Sequence, residues 1–217
     1  TVDLGAKKEL SNVSGSLTIK YGGNRSYTVD FGELDIYKDA KELADAIRSK
    51  LGEQTMTLSD GTSVKVSDKI DVKVNGDGNI EFSDKSDAGN TVSISSATGK
   101  IKDTLGIDPS KNESTLNTKD AVLSNKDATL GDYLAGKELT LTLDGVTKKI
   151  TLPEYQSGTK PEDYTKAIQD EIAKSFGAGK VTVTADNQNG NSFSLKFSTQ
   201  KGSTLSVSGD AAKALGL

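Results

Sequence analysis

The chain has 217 residues, with 27 basic and 31 acidic side chains and a formal net charge of −4. Such interspersed charge argues against a nucleic-acid groove and against attachment to an anionic membrane surface. The chain contains neither Cys nor His, which excludes a disulfide framework, thiolate or imidazole metal ligands, and Ser-His-Asp catalysis. No apolar run approaches the roughly 18–20 residues that a membrane-spanning helix needs.

Composition also limits the size and shape of the core. Apolar residues make up 33% of the chain and aromatic residues 5%, so thin, two-layered cores are expected. The 22 glycines against 3 prolines indicate many tight turns between strands. The length suits one large domain or two small domains of about 100 residues each. No secretory signal peptide is recognisable at Thr1.

The first module begins with two alternating runs around a glycine-rich turn at residues 22–24, a pattern that predicts a β-hairpin. Asp39 and Glu42 then have the spacing of a capping box and predict an amphipathic helix that ends near Gly52. The apolar positions are Leu17, Ile19, Tyr21, Tyr27, Val29 and Phe31 in the hairpin, and Leu43, Ala46, Ile47 and Leu51 in the helix.

An extra hairpin is predicted over residues 54–67, with a type I′ turn at Asp60-Gly61. A further hairpin follows over residues 70–82, and a third alternating run follows Gly89. The module closes on Leu-Gly-aliphatic at residues 105–107, and residues 108–125 show no sustained period and are predicted to be a connector.

A second module repeats this plan without the extra hairpin. Asp144-Gly145 turns the first hairpin, Thr159 and Glu162 repeat the capping-box spacing, and residues 215–217 repeat the Leu-Gly-aliphatic close. Its helix has the same apolar spacing as the first, at Tyr164, Ala167, Ile168 and Ile172. The sequence therefore predicts an α+β fold of two related modules, residues 1–112 and 113–217. Each is made mainly of antiparallel strands with one amphipathic helix packed on the sheet.

Two apparent ligand motifs fail on their chemistry. Residues 131–137 have the spacing of a phosphate loop, but Glu138 follows where a Mg²⁺-binding hydroxyl is required. Residues 71–76 resemble a calcium loop, but Lys73 and Phe82 occupy positions that need oxygen ligands. We therefore predict no metal site and no cofactor.

Two carboxylate pairs, Asp77 with Glu81 and Asp132 with Glu138, are the remaining candidates for acid–base chemistry. A catalytic pair needs a cleft that shifts one pKa, whereas these residues fall at turns or strand ends, where solvated carboxylates are common. The sequence thus predicts no catalytic residues and no enzyme.

The order of hairpin, helix with a central Ala-Ile, three short strands and Leu-Gly-aliphatic resembles the hook IN motif shared by flagellins and hook-associated proteins. The Ile-Asn dipeptide of that motif falls on Ile47-Arg48 and Ile168-Gln169, where Arg and Gln stand in place of Asn. The run at residues 128–132, before the second module's first hairpin, is similar to the corresponding segment of flagellar filament cap proteins (hook-associated protein 2). The resemblance covers nearly the whole chain.

The resemblance implies the two outer domains of a filament cap, a secreted structural protein that promotes flagellin polymerisation at the filament tip. Its implied partners are flagellin subunits and further copies of itself, joined into a ring through segments outside this chain. It also implies an extracellular location reached through the flagellar export apparatus. The absence of Cys is compatible with export in an unfolded state and equally with the cytosol.

Three other hypotheses remain open. The chain could form the variable outer domains of a flagellin, which flanking sequence would distinguish. A surface adhesive or carbohydrate-binding module would add host-surface glycans as partners and would need an exposed aromatic platform. Tyr21, Tyr27 and Phe31 could supply that platform, but their alternation favours core positions. An enzyme that uses Asp and Glu alone would need a deep pocket with two facing carboxylates.

Overall fold

A computed structural model describes all 217 residues, which form 16 β-strands and five α-helices. The predicted α+β class is confirmed, and every paired strand is antiparallel to its neighbours. The strands are β1 (Val2–Asp3), β2 (Leu10–Ser11), β3 (Gly15–Tyr21), β4 (Arg25–Phe31), β5 (Thr55–Thr57), β6 (Ser63–Lys65), β7 (Ile70–Val74), β8 (Ile80–Asp84), β9 (Val92–Gly99), β10 (Thr115–Leu116), β11 (Ser124–Asn125), β12 (Glu138–Leu143), β13 (Val146–Thr151), β14 (Val181–Asn189), β15 (Ser192–Thr199) and β16 (Leu205–Ser208). The helices are α1 (Ala40–Gly52), α2 (Lys100–Thr104), α3 (Leu130–Leu134), α4 (Pro161–Phe176) and α5 (Asp210–Ala214).

The chain divides into two compact units, and one of them is discontinuous in sequence. The split unit comprises residues 1–8 and 127–217, and the inserted unit comprises residues 9–126. The sequence predicted one boundary, between residues 112 and 113. The structure has two, after residue 8 and after residue 126. The first residues pair with β15, far along the chain, while the predicted connector contains β10, which pairs with β8, and β11, which pairs with β2.

The two units share one topology. In the inserted unit the sheets have the strand orders β4-β3-β9 and β10-β8-β7, and α1 packs against β7. In the split unit the orders are β13-β12-β16 and β1-β15-β14, and α4 packs against β14. The extra hairpin β5-β6 occurs only in the inserted unit, as predicted.

The source of one strand distinguishes the units. In each unit a further strand pairs with the second hairpin. In the inserted unit, where this hairpin is β7-β8, the further strand is β10, which comes after the repeated elements along the chain. In the split unit it is β1, which precedes the repeat. The two units are therefore related by a circular permutation of this strand.

The start of α1 follows the predicted pattern. The Asp39 carboxylate accepts a hydrogen bond from the Glu42 amide at 2.9 Å. The Glu42 carboxylate accepts from the Lys38 amide, also at 2.9 Å, so the return bond reaches one residue further back than in a capping box.

The predicted capping box at Thr159 and Glu162 is wrong. Pro161 occupies the first helical position, so Lys160 is the N-cap residue and no side chain caps the helix. The Thr159 hydroxyl instead accepts a hydrogen bond from the Gln156 amide at 3.2 Å. The proline ring, whose φ is already helical, sets the start of α4 one residue later than the Thr-to-Glu spacing suggests.

One of two similar turns was predicted incorrectly. Gly61 has φ of +85° but Asp60 lies at negative φ, which rules out the predicted type I′ turn. The Asp60 carboxylate accepts from the Thr62 amide at 2.8 Å and holds a wider turn. Asp144 and Gly145 have φ of 49° and 83° and do meet the type I′ requirement.

The two Leu-Gly-aliphatic sequences both end a short helix. Gly106 and Gly216 adopt left-handed φ values of 59° and 75°. The amide after each glycine donates to the carbonyl five residues earlier, at 2.9 Å and 3.0 Å, which is the long bond of a Schellman cap. Leu105 and Leu215 are both buried beneath these caps.

Each unit has its own core, built from its long helix and its sheets. Ile47 of α1 and Ile168 of α4 lie at matching positions in the two repeats, and both are fully buried. None of the five helices has the length and apolar character needed to cross a membrane.

Candidate functional site

The carboxylate pairs considered from the sequence lie in separate local structures. Asp77 lies in the exposed turn between β7 and β8, whereas Glu81 lies on β8 itself. Asp132, in the first turn of α3, accepts from the Thr129 amide at 2.7 Å, while Glu138 pairs with Lys149 at 3.4 Å. Asp132 and Glu138 therefore serve helix capping and a surface ion pair.

The phosphate-loop spacing belongs to a helix and its cap rather than to a loop. Gly131 lies inside α3, which starts with a capping box between Thr129 and Asp132. A Cβ on Gly131 would lie 2.2 Å from Cδ1 of Tyr155, so the glycine lets this ring pack against the helix. Residues 71–74, the start of the calcium-like sequence, form most of strand β7.

The residue after each central isoleucine makes a similar contact in the two units. The Arg48 guanidinium donates to the carbonyl of Val72 on β7. The Gln169 side chain accepts from the amide of Val183 on β14 at 3.0 Å. Strands β7 and β14 are the edge strands of their sheets. The residue after the central isoleucine thus joins the long helix to a backbone group on the neighbouring edge strand in both units.

The most connected polar cluster surrounds Asp84 at the end of β8. Its carboxylate accepts from the Tyr21 hydroxyl at 2.9 Å, from the Ser86 amide at 2.9 Å and from the Ser86 hydroxyl at 2.8 Å. The Asn90 amide and side chain donate to the same carboxylate at 2.9 and 3.1 Å. The cluster thereby fixes the loop after β8 against the end of β3.

These hydrogen bonds determine the charge on Asp84. Burial alone would raise the pKa of this carboxyl, but the bonds from Ser86, Asn90 and Tyr21 outweigh burial and hold the pKa well below its usual range. Burial, assisted by the neighbouring Asp84 carboxylate, raises the pKa of the Tyr21 hydroxyl. At neutral pH the pair is therefore a carboxylate and a protonated phenol.

A shallow polar depression of about 440 Å³ lies beside this cluster. It is lined by Tyr21, Gly22, Gly23, Asn24, Arg25, Leu58, Ser59, Asp60, Lys69, Ser86, Ala88 and Asn90. Arg25 is fixed there by a bond from its guanidinium to the Thr57 carbonyl at 2.7 Å. The depression offers hydrogen-bonding groups, but the carboxylate of Asp84, which is bonded to Tyr21, Ser86 and Asn90 of its lining, is too weak a base for proton abstraction near neutral pH.

Two further buried tyrosines, Tyr37 and Tyr164, are also protonated at neutral pH. Burial raises the pKa of Tyr37 and of Tyr164 to about 12. The Tyr164 hydroxyl is buried without a hydrogen-bond partner, so no neighbouring base activates it as a nucleophile.

The aromatic side chains do not form an exposed platform. Tyr21 and Phe31 are buried, which confirms their predicted core positions, and Tyr27 is half-buried against the same core. All six tyrosines and five phenylalanines are buried or half-buried. No aromatic ring is therefore fully exposed for stacking on a sugar ring.

Sequence reasoning missed the Asp84 cluster. The local part of its pattern, Asp84 followed two residues later by Ser86, is typical of a carboxylate that accepts from nearby backbone and hydroxyl groups. Tyr21 and Asn90 are 69 residues apart and join the cluster only through the fold.

Replacing Asp84 by Asn is expected to destabilise the inserted unit by about 1–3 kcal/mol at neutral pH, because several donors lose a charged acceptor. The folded-state pKa of Asp84 is lowered, so its stabilisation is present above the unfolded pKa of about 4 and is lost as the pH falls below it. Urea denaturation at pH 7 and pH 3 should show a smaller difference between variant and parent at pH 3. Asp77→Asn, in an exposed turn, is the control and should not change the free energy of unfolding at either pH.

Comparisons of the chain with protein-family models, curated proteins and solved structures give no match. The functional conclusion therefore depends on the duplicated architecture and on the chemistry of the residues in the two units.

Proposed function

We propose that this chain forms the two outer domains of a flagellar filament cap protein. In this role it is a structural protein without enzymatic activity, and it promotes the polymerisation of flagellin at the filament tip. The observation that carries the proposal is the duplicated unit itself, in which hairpin, helix, second hairpin, strand and capped short helix recur in one order.

The contacts of the central helix add support. The position after the central Ala-Ile is used in both units to join the long helix to an edge strand, through Arg48 and Gln169. A polar side chain at this position is what the IN-type motif also provides. The proposal thus rests on the topology that the two units share and on the hydrogen bond from helix to edge strand that each unit makes at this position.

The chemistry of the surface agrees with an assembly role. The Asp84 cluster is a saturated hydrogen-bond network that holds a loop in place, and its carboxylate lacks the raised pKa of a general base at neutral pH. The proposed partners are flagellin subunits and other copies of the cap protein, with ring formation through segments outside this chain. The proposed location is extracellular, at the filament tip.

The adhesive hypothesis is less well supported. Its best sequence feature, the strip of Tyr21, Tyr27 and Phe31, is buried or half-buried. The hypothesis of outer flagellin domains predicts the same type of unit but a different position in the filament.

A single pair of measurements separates these functions. In a strain that lacks the full-length gene product, we expect flagellin monomers to leak into the medium and complementation to stop the leak. Antibodies against residues 1–217 should mark only the filament tip. Labelling along the whole filament would overturn the cap in favour of a flagellin. Normal filaments without leakage, combined with lost attachment to glycan-coated surfaces, would overturn it in favour of an adhesive module.

A further inference from the structure

The split unit contains a shallow, partly apolar groove of about 500 Å³ between β15 and β16. It is lined by Phe197, Ser198, Thr199, Leu205, Val207 and Leu217. Phe197, Leu205 and Val207 pack on the core of this unit but are only half-buried, and Leu217 is 42% exposed.

The matching place in the inserted unit is filled by an extended segment. Residues 113–116 pass between β8 and β9, where the Ser114 carbonyl accepts from the Phe82 amide and the Glu113 carbonyl accepts from the Ile94 amide, both at 2.8 Å. Leu116 then lies opposite Ile80 and is fully buried. This segment covers an apolar surface that remains open in the split unit.

Strand register establishes which positions match. Phe82 pairs with Val72 and Phe197 pairs with Val183, and the two valines are the residues held by Arg48 and Gln169. Phe197 is therefore the counterpart of Phe82, and Leu195 that of Ile80.

The matching residues differ in exposure. Phe82 is 2% exposed whereas Phe197 is half-buried. Ile107 and Leu217, which both follow the glycine of a Schellman cap, are 8% and 42% exposed. In the inserted unit residues 113–116 cover these positions, whereas no segment within residues 1–217 covers their counterparts in the split unit.

Strand β1 already occupies the beginning of this site. Val2 lies opposite Phe193 and Asp3 lies opposite Ser192, in antiparallel register. Beyond Phe193, β15 has no strand on the side away from β14. In the same register Thr1 would face Ser194, and any residue joined to its amino group would face Leu195, which matches Ile80, the partner of Leu116 in the inserted unit.

We propose that this groove is a strand-binding site, filled by polypeptide that continues β1 on the amino side of Thr1 and pairs antiparallel with residues 195–197. Recognition is by backbone hydrogen bonds to the open edge of β15 and by an apolar side chain opposite Leu195. A strand in the same chain is the favoured occupant because β1 already fixes its register and brings it to the site at high effective concentration.

An extension of the whole chain tests this proposal. The sequence Glu-Ser-Thr-Leu, copied from residues 113–116, is added directly before Thr1, which puts its Leu opposite Leu195. The matched control carries Glu-Ser-Gly-Pro at the same place, so that Pro replaces the Leu opposite Leu195 and cannot donate a hydrogen bond to the Leu195 carbonyl. Both proteins keep all 217 residues of the parent.

Amide hydrogen exchange, followed residue by residue, is the readout. We expect the Phe197 amide to exchange about tenfold more slowly in the Leu-containing extension than in the parent or the control, as for one added hydrogen bond. The Phe82 amide, already bonded to Ser114, should be unchanged. Equal exchange at Phe197 in the two extended chains would overturn the proposal. Protection that rises with protein concentration would overturn the intramolecular assignment, because the strand would then come from a second copy.

Discussion

Replacing Gly15 by Ala is expected to destabilise the inserted unit by about 3 kcal/mol or more. Gly15 starts β3 opposite Gly99 of β9, and a Cβ at position 15 would lie 2.0 Å from the Thr98 carbonyl oxygen. Its φ of 130° is also one that side chains rarely adopt. The obstructing atoms belong to backbone, so a rotamer change cannot relieve the overlap and the two strands must separate.

Chemical denaturation monitored by circular dichroism measures this effect. Gly23→Ala is the matched control, because Gly23 lies in the turn of the same hairpin, has no heavy atom within 4 Å of a built Cβ and lacks a positive φ. The control should remain within about 0.5 kcal/mol of the parent. Equal stability of the two variants would show that β3 and β9 do not approach as closely as the structure has them.

The same place in the split unit is less crowded. A Cβ on Gly209, the counterpart of Gly99 at the start of the last short helix, would come no closer than 3.6 Å to the Glu138 carbonyl oxygen. Its φ of 109° still favours glycine. The two copies thus kept the helix-start glycine, while only the inserted unit brings the two backbones into close contact.

Local patterns predicted most of the repeated elements. These elements depend on signals that act over a few residues: the apolar stripes of the two long helices, the alternation in the hairpins and the glycines at the ends of the short helices. The structure has each of these elements where the signals lie. Competing local signals explain the errors. At the start of α4, Pro161 overrode the Thr159 spacing, and at α3 the Thr129-Asp132 cap starts a short helix that was not predicted from the sequence.

Long-range pairing could not be predicted from local patterns. Strand β1 has only two residues, and it joins the sheet of the split unit through Phe193, far along the chain. Such a short segment has no measurable period, so its assignment to the later module was invisible in the sequence. The Asp84 cluster was missed for a related reason, because Tyr21 reaches it from a different hairpin.

Truncating the central isoleucine of one helix should weaken one unit without weakening the other. Ile47→Ala and Ile168→Ala each remove a fully buried side chain from a separate core, and each is expected to cost about 3–5 kcal/mol. Hydrogen exchange resolved by residue should report the loss for Ile47→Ala within residues 9–126. For Ile168→Ala the loss should fall within residues 1–8 and 127–217.

The segments in which protection is lost show whether the two repeats unfold separately or together. Lys41→Ala and Lys166→Ala, on the exposed faces of the same helices, serve as controls and should leave the stability of both units close to that of the parent. If each isoleucine variant destabilises only its own unit, the repeats fold as separate cooperative units despite the insertion. If either variant lowers protection equally in all segments, the insertion has joined the two cores into one cooperative unit, and the prediction is wrong. The first eight residues are the most informative segment. They should lose protection in Ile168→Ala and not in Ile47→Ala, although Ile47 is nearer to them along the chain.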